Sequence, residues 1–161
     1  MRNRIWEHLQ ESKFKAEYLG LVSKKAYLWG NIYSFILAFS SAGCVAAWSI
    51  WKTNPTIWAI IVAISQVLHL AKPYMPYIKH DRDLFEMGFK YESLYVSYEQ
   101  LWFAFEKSRL CEDDVEKRFY ELRKSEQNFL SQFKQIYCPE FPSLMKVVSE
   151  KTSKQLDRTF S

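Results

Sequence analysis

The densest group of reactive side chains is His80–Asp83, with Glu86 one helical turn further on. An imidazole beside carboxylates could hold a metal ion or act as a general acid–base pair. Mixed charges of this kind are also typical of the first turn of a helix, and that interpretation is favoured here. The two other histidines, His8 and His69, have no cysteine or carboxylate at a metal-binding spacing.

The remaining residues do not form a catalytic motif. The three cysteines, Cys44, Cys111 and Cys138, are too far apart in sequence to form a CxxC pair. The four glycines are isolated, so the sequence has no glycine-rich phosphate-binding loop and no nucleophile elbow. The acidic run Glu112–Glu116 suits a helix start, with Asp113 opening a capping box. The sequence therefore predicts no enzyme, no cofactor, no metal and no direct small-molecule substrate. A net charge of +4 with interleaved signs gives no support for nucleic-acid binding.

An unusually uncharged block separates the elements that carry these residues. Residues 26–71 contain one charged side chain, Lys52, within the polar turn Lys52–Pro55. The uncharged runs on either side are each long enough for the about 20 residues that cross a bilayer. The pattern predicts a transmembrane hairpin over residues 26–72. A buried hairpin in a helical bundle and a cleaved signal peptide with a lipoprotein-like box at Ser41–Cys44 are the alternatives.

Basic residues predict how this hairpin is oriented. Ten lysines and arginines flank the block, whereas the turn has only Lys52. Because positive residues stay on the cytoplasmic side, both termini are expected in the cytoplasm.

Apolar residues at alternating steps of three and four predict helices outside the block. Residues 1–25 form a predicted amphipathic cytoplasmic helix, and residues 73–161 a predicted cytoplasmic helical domain. The stripe of the first helix consists of Ile5, Leu9, Ser12, Ala16 and Leu19. The stripe within residues 81–110 consists of Leu84, Gly88, Tyr91, Tyr95, Tyr98, Trp102 and Phe105. The stripe within about 113–137 consists of Val115, Phe119, Leu122, Glu126, Phe129, Phe133 and Ile136, with Glu126 as its one polar member.

A last, weaker helix is expected from Pro142 to about Leu156. Two successive striped helices with a short link predict an antiparallel helical hairpin. The predicted fold class is therefore an all-α membrane protein, with a two-helix transmembrane hairpin and a cytoplasmic helical hairpin.

Small residues inside the uncharged block predict close helix packing. Ser34, Ala38, Ala42 and Ala46 recur every four residues, and such a face lets helix backbones approach. Packing within one hairpin and association of several copies are both open, and the last three residues are the candidate oligomer contacts.

Polar residues near the cytoplasmic ends of the same two helices predict a shared layer. Asn31 and Ser34 on the first helix, and Gln66 and His69 on the second, fall at one depth of an antiparallel hairpin. They are candidate pore-lining residues. Hydrogen bonding between the two helices is the alternative.

The whole pattern resembles the SLATT-type two-transmembrane effector domains of bacteria. The likeness lies in the short turn Trp48–Pro55, the helix around Tyr91–Tyr95, and the segment from Cys111 to Pro139. The resemblance implies an effector of an anti-phage abortive-infection system, which oligomerises and permeabilises the inner membrane. It also implies a regulatory partner that holds the effector inactive; in retrons this would be a reverse transcriptase with its RNA–DNA product.

A non-toxic membrane anchor is the competing class of function. Such an adaptor would recruit a cytoplasmic partner through its helical hairpin.

Overall fold

A computed structural model describes residues 1–46, 55–71, 80–134, 136 and 138–160 of the 161-residue chain. Within these ranges the chain forms five α-helices and no strand. They are α1 (Arg2–Ala46), α2 (Pro55–Ala71), α3 (Asp81–Glu106), α4 (Glu112–Gln132) and α5 (Pro142–Phe160). The predicted turn residues Lys52–Asn54 and the stretch 72–79 lie outside the described residues.

The chain divides into two compact units. The four-helix unit contains Met1–Lys24 and Arg82–Ser161, and the two-helix unit contains Lys25–Asp81. Helix α1 contributes its first half to the four-helix unit and its second half to the two-helix unit.

No helix in the described ranges is both long enough and apolar enough to cross a membrane. Helix α2 has 17 residues, which at about 1.5 Å per residue falls short of a hydrocarbon core about 30 Å thick. In the second half of α1, the polar groups of Asn31, Tyr33 and Ser34 interrupt the apolar run. The predicted membrane fold class, with its transmembrane hairpin, and the predicted inner-membrane location are therefore wrong. The helical content agrees with the structure.

The four-helix unit is held by contacts that define the direction of each helix. Helix α1 runs antiparallel to α3, because Trp6 packs on Trp102 while Lys13 reaches Glu92. Helices α3 and α4 are also antiparallel, as the sequence predicts: Tyr91 meets Phe129, and Tyr98 meets Phe119.

The predicted stripes form the core of this unit. All five stripe residues of the first helix are buried, as are the first five of α3. Of the stripe predicted within about 113–137, Val115, Phe119, Glu126 and Phe129 are buried. Leu122 is partly buried, as are Phe133 and Ile136, which follow the end of α4. Gly88 serves a close helix approach, because a Cβ atom there would lie 3.2 Å from the Cβ of Leu19.

The helix ends differ from the predicted ones for local reasons. Helix α3 stops at Glu106 because Ser108 takes a left-handed conformation (φ 47°) and the amide of Arg109 donates to the carbonyl of Ala104. Helix α4 begins at Glu112 with Cys111 as N-cap and no side-chain cap bond, so the predicted capping box at Asp113 is wrong. The acidic first turn is present as expected.

One tyrosine fastens the α4–α5 connection to α1. The buried Tyr18 hydroxyl donates to the carbonyl oxygen of Pro139 (2.7 Å) and accepts from the amide of Phe141 (2.9 Å). Burial raises the pKa of this hydroxyl, so it stays protonated and can keep both bonds. The bonds place the start of α5 against α1.

We expect Tyr18→Phe to destabilise the four-helix unit by about 1–3 kcal/mol, because it removes both hydrogen bonds that the buried Tyr18 hydroxyl makes to the α4–α5 connection. Urea unfolding followed by circular dichroism measures the change. Tyr120→Phe, which alters an exposed ring on α4, is the matched control. Equal stability of the two variants would contradict this role of Tyr18.

Candidate functional site

The most distinctive surface of the molecule is the apolar exterior of the two-helix unit. Of the 18 large hydrophobic side chains exposed in the described residues, 11 belong to this unit. They are Tyr27, Leu28, Trp29, Ile32, Phe35, Ile36, Ile60, Val62, Ile64, Val67 and Leu70. We call this set the apolar surface. Its most exposed members are Phe35 at 70% and Leu70 at 72%.

The two-helix unit lacks a core of its own among the residues described. Its buried hydrophobic side chains there are Ala26 and Tyr33, while the four-helix unit contributes the whole 18-residue core cluster. Two helices alone cannot cover each other's apolar faces, so this surface stays open in a single chain.

The free energy at stake is large. A fully buried leucine, isoleucine, valine or phenylalanine gains about 1.5–3 kcal/mol over an exposed one. Burying the exposed parts of these 11 side chains would therefore release on the order of 10 kcal/mol of free energy. A surface of this kind marks an interface.

The predicted polar layer lies on this same unit. The Tyr33 hydroxyl donates to the carbonyl of Leu68, so the segments 31–34 and 66–69 lie beside each other. Asn31, Ser34, Gln66 and His69 are all exposed. Within the described ranges, none of the four hydrogen-bonds to another of the four. Their predicted pore-lining role stays a prediction.

The predicted oligomer contacts are only partly in view. Ala38 is exposed on α1. The side chains of Ala42 and Ala46 lie outside the described residues, so the small-residue face can be followed over Ser34 and Ala38 alone.

A cluster of charged side chains crosses the four-helix unit between α1 and α4. The Lys15 ammonium contacts Glu11 at 2.6 Å and Glu126 at 3.8 Å, and Arg123 donates to Glu126 at 2.8 Å. Glu126 is only 5% exposed, yet two cations surround it, which offsets the cost of burying its charge. The hydrogen bond from Lys15 lowers the pKa of Glu11.

His8 borders this cluster on its apolar side. Its ring stacks on Tyr98 at 5.8 Å and lies 5.4 Å from Phe119, and its Nδ1 is 3.5 Å from a Glu11 oxygen. Burial, with the nearby positive charge of Arg123, lowers the pKa of His8 below its ordinary value. The neutral imidazole is therefore the stable form in the folded chain.

The adjoining tyrosine is held in its neutral form. Burial, with the negative charge of Glu126, raises the pKa of Tyr98, and its hydroxyl has no hydrogen-bond partner within the described residues. A neutral imidazole, a closed ion cluster and a protonated phenol are features of core packing.

A buried cation also lies on α1, between Glu11 and Lys15 in sequence. Lys13, only 5% exposed, donates to Glu92 at 3.0 Å and lies 4.7 Å above the Tyr95 ring. The sequence stripes did not reveal Lys13 as a core residue, because it lies beside the stripe residue Ser12. Glu126 was visible in advance as the one polar member of its stripe.

The candidate metal or acid–base group at His80–Asp83 lies at the start of α3. His80 and Asp81 are partly exposed. In the part of the chain that the structure describes, no three histidine, cysteine, aspartate or glutamate side chains converge on a position that could hold a metal ion.

Comparison with known proteins does not add to this picture: no protein-family model, curated protein or solved structure matches the chain.

We expect the free energy of unfolding to fall as the pH drops from 7.5 to 5.5. Because the folded chain holds the pKa of His8 below its ordinary value of 6.5, the unfolded chain binds the proton first and is favoured. The carboxylates with lowered pKa, Glu11 and Glu17, lose their contribution only at lower pH, below about their ordinary 4.5. Urea titrations at several pH values measure the slope.

His8→Gln should flatten that slope, and His69→Gln, at an exposed position of the two-helix unit, should leave it unchanged. A parent slope that survives His8→Gln would contradict the assignment.

Proposed function

We propose that this protein is an assembly module, in which copies of the chain associate through the apolar surface of the two-helix unit and each copy carries a four-helix unit. The observation behind this proposal is the set of 11 exposed large hydrophobic side chains on a unit in which, among the residues described, Ala26 and Tyr33 are the buried hydrophobic ones. Association would bury what one chain leaves in water.

A second copy is the partner that best fits this surface. Residues 26–46 and 55–71 contain no lysine, arginine, aspartate or glutamate. Charges across an interface select a specific partner, and here there are none to do so. Interfaces between identical subunits are the more apolar class, and the small exposed residues Ser34 and Ala38 permit close approach.

A defence role gives the proposed assembly a biological setting. On the resemblance given above, the protein would be an effector of a bacterial anti-phage system, held inactive by a regulatory partner until copies associate. This role rests on the resemblance alone. Membrane permeabilisation is not part of the proposal, because no described helix could cross a membrane.

An adaptor is the second candidate, favoured by one observation on the four-helix unit. Helix α3 exposes Phe85, Phe89 and Val96 at steps of four and seven, which places them on one face. A partner helix could dock there. This interface is smaller than the apolar surface, so it ranks second.

We expect Phe35→Asp and Leu70→Asp each to shift the chain from oligomer to monomer, because an aspartate buried at the interface would lose its hydration without a counter-charge. Multi-angle light scattering across a dilution series measures the mass. Phe89→Asp, which changes a side chain of similar exposure (69%) on α3, is the matched control. It should leave the mass unchanged.

The reverse pattern, with monomers only for Phe89→Asp, would place the self-association interface on α3 and contradict the proposal. A parent chain that is monomeric at all concentrations would contradict the proposal, as would a monomer that binds phosphatidylcholine vesicles through the same two side chains. Circular dichroism of each variant confirms that it remains helical.

A further inference from the structure

An open cleft lies at one end of the four-helix unit, far in sequence from the apolar surface. It is formed by the first turn of α1 and the last turns of α3 and α5, and it encloses about 670 Å³. Four aromatic rings line it: Trp6, Trp102, Phe103 and Phe160. A volume of this size is typical of a site for a small molecule.

The rings hold one another in place. Trp6 lies 5.0 Å from Trp102 and 5.0 Å from Phe160, and Phe103 stacks on Phe160 at 5.5 Å. Trp6, Trp102 and Phe160 are partly buried, and Phe103 is 39% exposed. The wall is therefore preorganised, and it leaves aromatic surface open to a planar ligand.

Two cations already occupy ring faces at the rim. The Arg2 guanidinium lies 5.4 Å from the centre of the Trp102 ring and pairs with Glu106 at 2.9 Å. The Lys107 ammonium lies 5.9 Å from the Phe103 ring, and no carboxylate of the described residues pairs with it. Among the described residues that line the cleft, Arg2 and Lys107 outnumber the one carboxylate, Glu106, and this excess of positive charge disfavours a cationic ligand and favours an anionic one.

We propose that this cleft binds a small anion that carries a planar aromatic ring. The ring packs against the indole and phenyl surfaces, and the anionic group pairs with the Lys107 ammonium and with the guanidinium N–H groups of Arg2 that Glu106 does not use. Nucleotides and aromatic carboxylates both have this chemistry. The inference is independent of the proposed assembly, because the described residues that line the cleft all belong to the four-helix unit.

Titration calorimetry of the full chain tests this with AMP, adenosine, inorganic phosphate and indole-3-acetate as probes. We expect AMP to bind with a dissociation constant below about 1 mM, and adenosine and phosphate to bind at least about fivefold more weakly, since each lacks one half of the recognised chemistry. Tighter binding of indole-3-acetate than of AMP would identify the ligand as an aromatic carboxylate.

Two variants separate the charge from the ring. Lys107→Gln should weaken AMP at least about fivefold and leave adenosine unchanged. Phe103→Ala should weaken both. Lys124→Gln, which removes an equal charge from α4, where no residue lines the cleft, is the control and should have no effect. Phosphate binding as tightly as AMP, no binding of any probe, or AMP binding unaffected by Lys107→Gln would overturn the proposal.

Discussion

The constraint on which the rest of the molecule depends is the unequal burial of apolar surface along one chain. The first half of α1 has partners on three other helices and buries its stripe. The same helix then continues into a unit that exposes 11 large hydrophobic side chains among its described residues. Since burial of apolar area is the main favourable term in folding, association would stabilise a helical pair in this state. The proposed assembly follows from this imbalance.

The four-helix unit differs from the two-helix unit in that its packed core contains charged side chains. Lys13 and Glu126 are almost fully buried, and each has an oppositely charged neighbour within ion-pair distance. Buried pairs of this kind are weak evidence for added stability, but an unpaired partner would be costly. They therefore penalise any helix register that separates Lys13 from Glu92 or Lys15 from Glu126. The apolar stripes form the core of this unit, and the ion pairs favour one register of its helices.

The sequence was informative where a single pattern decides the outcome. The three-and-four spacing gave the helices, and the stripe residues such as Leu9, Tyr98 and Phe119 are buried as expected. It was misleading for the uncharged block, because a lack of charge is shared by membrane-spanning helices and by helices that associate with protein. The helix ends depended on local backbone geometry. The left-handed residue after α3 is Ser108, whereas a glycine at this position would have marked the helix end in the sequence. The aromatic cleft could not be foreseen, because Trp6, Trp102 and Phe160 come together only in the folded unit.

Hydrogen exchange of the unmodified chain at two concentrations tests the central claim most directly. If copies associate through the apolar surface, the amides of α2 and of the second half of α1 should be protected at high concentration and exchange faster on dilution, by mass action. The amides of α3 and α4 should exchange at the same rate in both samples. Equal exchange of the two-helix unit at both concentrations, with the chain monomeric throughout, would contradict the account.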